Sequence, residues 1–333
     1  MIDVHVHLRD APAVEVYGQV ARSYGIRCCW TMSPLSQVDL IRQALGDTDV
    51  RFIAVPDWGN PDPLHTMGQG FLDAISAFHS EGSRLVKFWA APRARDLSIE
   101  TGHPDLMDLT GPWRRRQMEH AASLGMGIMT HVADPDTWFE TVYSDQDRYG
   151  TKAAQYEQFE RALEAFPVPW LAAHMGGWPE DLNFLDTLLE RYDYLHLDTS
   201  ATKWMVRALS AHDQQQIETF FTRWKHRILF GSDIVAVGEH LVIGGEGARA
   251  DQAGTSAEAF DLYASRYWAL RTMFERDWTG PSPIADPDLH RIDPDQFTPL
   301  DAPTLVGRAL TDEVLRPLYA QAAAQFAQSL GMP

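Results

Sequence analysis

Two histidines stand near the start of this chain, in MIDVHVHLRD, where Asp3, His5 and His7 alternate with Ile2, Val4, Val6 and Leu8. Successive side chains of a β-strand take opposite faces, so His5 and His7 share one face, about 7 Å apart along the strand. Further chemically competent groups sit at the ends of later apolar runs: Lys87 in SRLVKFWAA, His131 in GMGIMTHVA, His174 in PWLAAHMGG and Asp233 in RILFGSDI. A single histidine at a strand end is ordinarily a hydrogen-bonded structural residue. Repeated at the same end of strand after strand, such groups point to one shared metal site. Imidazole nitrogens with a carboxylate suit a divalent ion, zinc first, with manganese, iron or cobalt as alternatives. Three or four protein ligands would leave a position for water, whose pKa the ion lowers toward neutrality.

The elements that must bring these residues together are short, β-branched apolar runs. They start at residues 2, 26, 51, 83, 125, 169, 194 and 227, which leaves room for a crossover helix in every gap. Helical patterns fill the gaps, as in APAVEVYGQVARSYG, AQYEQFERALEAF and PEDLNFLDTLLERY, the last with Pro179 at a first-turn position. Eight strands alternating with helices predict an α/β fold, the (β/α)8 TIM barrel, whose catalytic groups gather at the C-terminal ends of the strands. A doubly wound sheet ranks behind it, because no glycine-rich phosphate turn follows the first strand. The chain is expected to form a single domain, with the barrel over about 1–277. An irregular C-terminal extension over about 278–333 ends in a helix near 311–329. Two long connections, 134–152 and the glycine-rich 238–254, read as lids or binding loops.

Composition narrows the classes of function. Forty-six acidic against 28 basic residues give a formal charge of −18, which argues against nucleic acid and anionic membranes as partners. No apolar run reaches the roughly 18 residues of a membrane span, and the chain enters its first strand with no signal-peptide pattern, so a cytoplasmic protein is expected. The two cysteines, Cys28 and Cys29, are adjacent in an apolar run and read as small buried hydrophobes.

Taken together, HVH on the first strand, THVAD on the fifth, AHMGG on the sixth and FGSD on the eighth resemble the amidohydrolase superfamily. The nearest type is its amidohydrolase-related branch, which includes aminocarboxymuconate-semialdehyde decarboxylase. The likeness covers about residues 1–235. Two departures touch the pocket: KFWA puts Trp89 where the branch often has histidine, and Ile234 replaces the usual proline after GSD. The resemblance implies that His5, His7, His131 and Asp233 bind metal, and that His174 binds it or polarises substrate or water. It favours one ion, with Lys87 an amine, over two ions bridged by a carboxylated Lys87. Arg9, in HVHLRD, resembles the arginine of HxHxR stretches that hold a substrate carboxylate, which a planar guanidinium does well.

Five tryptophans, Trp58, Trp89, Trp138, Trp178 and Trp204, fall at or beyond the ends of strands three to seven and suggest an aromatic-walled mouth. Asp198, sharing a strand face with His196 and Ser200, is a further candidate near metal or substrate. The leading expectation is a metal-dependent hydrolase of a small, carboxylate-bearing ester, lactone or amide, with Asp233 moving the proton and His174 steadying the oxyanion. The alternatives are a non-oxidative decarboxylase of an aromatic or unsaturated acid, and a non-catalytic barrel scaffold. A homodimer with contacts from 279–330 is a further expectation.

Overall fold

The computed structural model describes residues 1–245, 249 and 251–332. Part of the loop expected at 238–254, namely 246–248 and 250, therefore lies outside the described residues. The strands are β1 (Ile2–Leu8), β2 (Cys28–Thr31), β3 (Asp49–Phe52), β4 (Leu85–Trp89), β5 (Gly127–His131), β6 (Trp170–Ala172), β7 (Leu195–Asp198), β8 (Ile228–Leu229) and β9 (Ile234–Ala236). All pair in parallel, in the orders β3-β2-β1-β9 and β4-β5-β6-β7-β8. Hydrogen bonds join the two sets at both edges. Ala54, just after β3, donates to Leu85 and accepts from Lys87 at 2.8 and 2.9 Å, and Val4 donates to the Phe230 carbonyl at 2.9 Å. The result is a (β/α)8 barrel, in which the eighth strand is divided. The expected run 227–234 is broken at 230–233, and β9 continues beside β1 with Val6 opposite Ile234.

Helices pack outside this barrel. Residues Ala11–Ser23, Lys152–Ala165 and Ser256–Glu275 take up the periodic segments read from sequence. In PEDLNFLDTLLERY the helix begins later than expected, at Leu182. Asp181 accepts from the Phe184 N–H as its cap, and Pro179 lies upstream. The outer faces of the strands, Val6, Leu8, Val86, Phe88, Ile128 and Leu197 among them, form the main core with the helices. Cys28 and Cys29 are free and buried, as their surroundings require.

Inside the barrel, the lower layer is Val4, Leu85, Met129, Leu171 and Leu229. The C-terminal extension closes this end. Ala323, Phe326 and Leu330 pack under that layer, and Phe326 stacks edge-on against His196 at 4.7 Å. The terminal helix is not continuous: Pro317 opens a wider turn between Asp312–Arg316 and Ala322–Ser329. Thr279–Pro281 and Thr304–Val306 form a small antiparallel pair, β10 and β11. No helix among the described residues is long and apolar enough to cross a membrane.

One glycine ties the upper loops together. Gly177 has φ +82°, and a Cβ there would sit 2.3 Å from the Ala133 carbonyl oxygen. It therefore locks the turn after β6 against the segment after β5. Gly177→Ala is expected to lower the melting temperature by roughly 5–10 °C, through strain and lost loop contact. Thermal unfolding followed by circular dichroism measures this.

Candidate metal centre

The backbone brings the polar residues together by departing from regular strands in three places. The first is in β1. Asp3 pairs with Cys29 and Val6 with Thr31, so β1 holds one residue more than β2 over that stretch. This bulge lets Val4 and His5 both face the interior, where strict alternation would send Val4 outward with Val6. Asp3 stabilises it: its carboxylate accepts the N–H groups of His5 and Ser232, both at 3.1 Å, the Ser232 hydroxyl at 2.6 Å and the Tyr267 hydroxyl at 2.7 Å. Burial pushes Asp3 up to about 6, against the pull of those donors. Asp3→Ala would leave four buried donors without an acceptor and is expected to cost about 3–5 kcal/mol, read by denaturant unfolding.

The second and third departures are left-handed residues. His174 has φ 59° and Asp233 has φ 59°, a conformation that non-glycine residues adopt at a cost. On a continued strand β6, His174 would follow Ala172 to the outer face. The left-handed turn instead brings its ring 4.9 Å from His5 and 4.5 Å from His131. Gly231 clears the floor beneath, since a Cβ there would stand 3.0 Å from the His5 Cβ.

At the centre, one oxygen of Asp233 faces two imidazoles. Its Oδ1 is 3.4 Å from His5 Nε2 and 3.3 Å from His7 Nε2. These spacings match the edge of a tetrahedron with metal–ligand bonds of about 2.0–2.1 Å. Proton bookkeeping makes the same point. His5 Nδ1 lies 2.9 Å from Asp198 Oδ2. The Asp198 carboxyl is raised by burial but held well below its usual range by His5, His174 and Lys87, so it is ionised. An ionised carboxylate only accepts, so the proton shared with Asp198 sits on His5 Nδ1, and Nε2 is the nitrogen directed at Asp233. Nε2 and the Asp233 oxygen face one another across 3.4 Å, a separation that a cation between them would bridge. The donor set fits a divalent ion.

Other imidazoles are oriented in the same way. His131 Nε2 is 2.9 Å from Asp134 Oδ1, and Asp134 also accepts from the buried Tyr143 hydroxyl at 2.7 Å. His174 Nδ1 lies 2.8 Å from Ser200 Oγ, and the Ser200 hydroxyl donates to Asp198 Oδ1. The His174 proton therefore sits on Nδ1, leaving Nε2 bare. Burial, with the neighbouring His131, holds His174 well below the usual histidine range. Asp198 also accepts the His174 and Ser200 N–H groups, at 2.9 and 3.0 Å. It thus organises His5 and His174 together.

Of the residues singled out in the sequence, His5, His7 and Asp233 form one three-donor group, and His5, His174 and Asp198 another. His131 joins neither group and stands beside His174. Lys87 reaches the same interior. Its Nζ is buried with no hydrogen-bond partner among the described residues, and burial lowers it to about 8 against the pull of Asp198 and Asp233. Arg9 is exposed just beyond β1.

The tryptophans divide. Trp204 packs edge-on against His174 at 5.7 Å and against Trp138 at 5.5 Å, so it is the aromatic wall of the centre. Trp58 and Trp89 pair at 5.9 Å. Trp178 stacks on Tyr156 at 5.2 Å and donates to Asp136 at 3.2 Å, as part of the loop anchor with Lys152. Sequence reading passed over Asp3 and Asp134. Each lies two or three residues from a histidine, DVH and HVAD, a spacing that carries the signal.

No family model and no curated protein matches the chain. Solved structures do match. An amidohydrolase from Burkholderia multivorans with bound HEPES aligns over 100% of this chain and 99% of its own, at 9% identity and a TM-score of 0.48. The 5-carboxyvanillate decarboxylase of Sphingomonas paucimobilis aligns over 98% of each chain, at 10% identity and a TM-score of 0.46.

Proposed function

We propose that the chain is a metal-dependent hydrolase acting on an ester, lactone or amide of a small acid. The observation that supports this reading is the approach of His5 Nε2 and His7 Nε2 to a single oxygen of Asp233. A divalent ion held by these three residues, with zinc first in line, would supply Lewis acidity toward a carbonyl and lower the pKa of water at the site. His174, its ring 4.9 Å from that of His5, and His131 beside it would complete the set.

The chain's own residues then divide the work. Asp233, with one oxygen directed at the imidazoles, has a second to accept the proton of the attacking water and return it to the leaving group. His174, its Nδ1 proton committed to Ser200, offers a lone pair and is suited to bind the ion or accept a proton. Oxyanion stabilisation therefore passes from His174 to the Lys87 ammonium, whose Nζ has no hydrogen-bond partner among the described residues. Trp204 and Trp138 keep water from one side of the site.

Lys87 also favours a second reading, non-oxidative decarboxylation. An acid with no hydrogen-bond partner among the described residues, buried beside the centre, is suited to protonate carbon as CO2 departs. Screening the metal-loaded protein separates the readings. Hydrolysis releases acid from lactones or esters. Decarboxylation releases CO2 from aromatic or unsaturated acids without consuming water. Activity on neither group, in a protein with metal bound, would sink both.

A further inference from the structure

Beside Asp233, away from His5 and His7, lies a recess of about 50 Å³ bounded by Asp233, Ile234, Arg249, Gln252, Tyr263 and Arg266. None of the chemistry above uses it. Its volume suits on the order of two or three waters, or one carboxylate group. Arg266, on helix Ser256–Glu275, is fixed from behind. Its Nη1 donates to the Leu262 carbonyl at 3.2 Å and to Ser265 Oγ at 2.8 Å. Arg249 uses its backbone N–H, at 3.0 Å, on Glu239. Neither guanidinium pairs with a carboxylate among the described residues. Several other arginines do, Arg148 with Asp96, Arg207 with Asp286, Arg223 with Asp186 and Arg271 with Glu275, whereas Arg227 and Arg308 are held by backbone carbonyls.

Two guanidinium groups border one small space, Arg249 from its loop and Arg266 from its helix. The nearest acid, Asp233, has Oδ1 turned to the two histidines. Two guanidinium groups against the one carboxylate of Asp233 leave an excess of positive charge in the recess, which an anion from outside would balance. Gln252 adds a neutral amide to the same wall.

We infer that this recess is the binding site for the carboxylate of an acidic substrate, held by Arg266 and Arg249 while its scissile group lies at the metal centre. The inference rests on the proposed function for the second half of that statement only. It moves the carboxylate clamp from Arg9, at the end of β1, to the helix and loop that follow β9. Substrates would then be acids whose carboxylate is separated from the reacting carbonyl by the width of the Asp233 side chain.

The test uses the full chain, metal-free and metal-loaded, titrated with 13C-labelled acetate and with neutral acetamide, and followed by NMR line broadening. Acetate is expected to bind both forms and acetamide neither. Arg266→Gln and Arg249→Gln are each expected to weaken acetate binding about tenfold, with metal content unchanged. Arg249 is exposed on its loop, so its variant decides the matter if Arg266→Gln fails to fold. Acetate binding only in the metal-loaded form, equal binding of acetamide, or affinity unmoved by the substitutions would overturn the inference. A chain that binds acetate at the arginines but never binds metal would instead refute the proposed function.

Discussion

Replacing His5 and His7 together by alanine is expected to take bound divalent metal from about one ion per chain to nearly none, and turnover down by about a thousandfold or more. The size follows from geometry. The two Nε2 atoms and Asp233 Oδ1 form one group of three donors within ligand spacing, of which two would be gone, and the second group, His5, His174 and Asp198, would lose His5. The fold should survive. His7 is partly exposed, and the lower layer of the barrel, Val4 to Leu229, does not include either ring. Elemental analysis after dialysis, with circular dichroism as the control, measures the effect. Metal content equal to that of the unaltered chain would show that the ion, if any, binds elsewhere. A firm value of two ions in the unaltered chain would instead favour the carboxylated form of Lys87.

This prediction could be framed from sequence because the histidine spacing and the βα rhythm are local signals. His5 and His7 lie two apart in an alternating run, and the strand starts recur with room for helices between them. A period of two and a helix-length gap are properties of neighbouring residues, so the barrel and the end at which the polar residues gather were legible. What decides the donors' final positions is not local. The bulge in β1 depends on Asp3 meeting Ser232, 229 residues away. The left-handed turns at His174 and Asp233 run against residue preference and persist because the surroundings hold them: Asp198 and Ser200 receive the His174 N–H, and Asp233 donates its own to the His5 carbonyl at 2.8 Å. Alternation alone would place Val4 and His174 on the wrong faces.

Aromatic residues show the same division. Their position after the strands marked a wall, but only packing separates Trp204, against the imidazoles, from Trp178, which is used to brace a loop. Trp138 belongs to the wall because Asp288, in the C-terminal extension, accepts its indole N–H at 2.8 Å. That extension read as an irregular tail with a terminal helix. It serves both ends of the barrel, as a plug below and as a brace for the aromatic wall above.

The single substitution expected to do most damage per atom changed is Asp198→Asn, which replaces one oxygen by nitrogen and leaves the shape alone. Asp198 is fully buried, and its Oδ2 holds the His5 proton on Nδ1. With asparagine, the groups that donate to Oδ1, the Ser200 hydroxyl and the N–H groups of His174 and Ser200, fix the amide with its oxygen on their side. The NH2 then faces His5 Nδ1, which must accept instead of donate. The His5 proton moves to Nε2, the atom directed at Asp233, and the lone pair that would bind the ion is lost. Metal affinity is expected to fall by about 100-fold, the upper part of the range for partners of metal-bound histidines. Removing a buried charge beside His5 and Lys87 should also cost stability, about 3 kcal/mol. Competition against a chelator of known affinity reads the first, and denaturant unfolding the second. If affinity fell while Asp198→Ala, which lacks the NH2 donor, retained more of it than Asp198→Asn, the tautomer itself would be identified as the cause. Unchanged affinity in Asp198→Asn would mean that His5 is oriented by something other than this carboxylate.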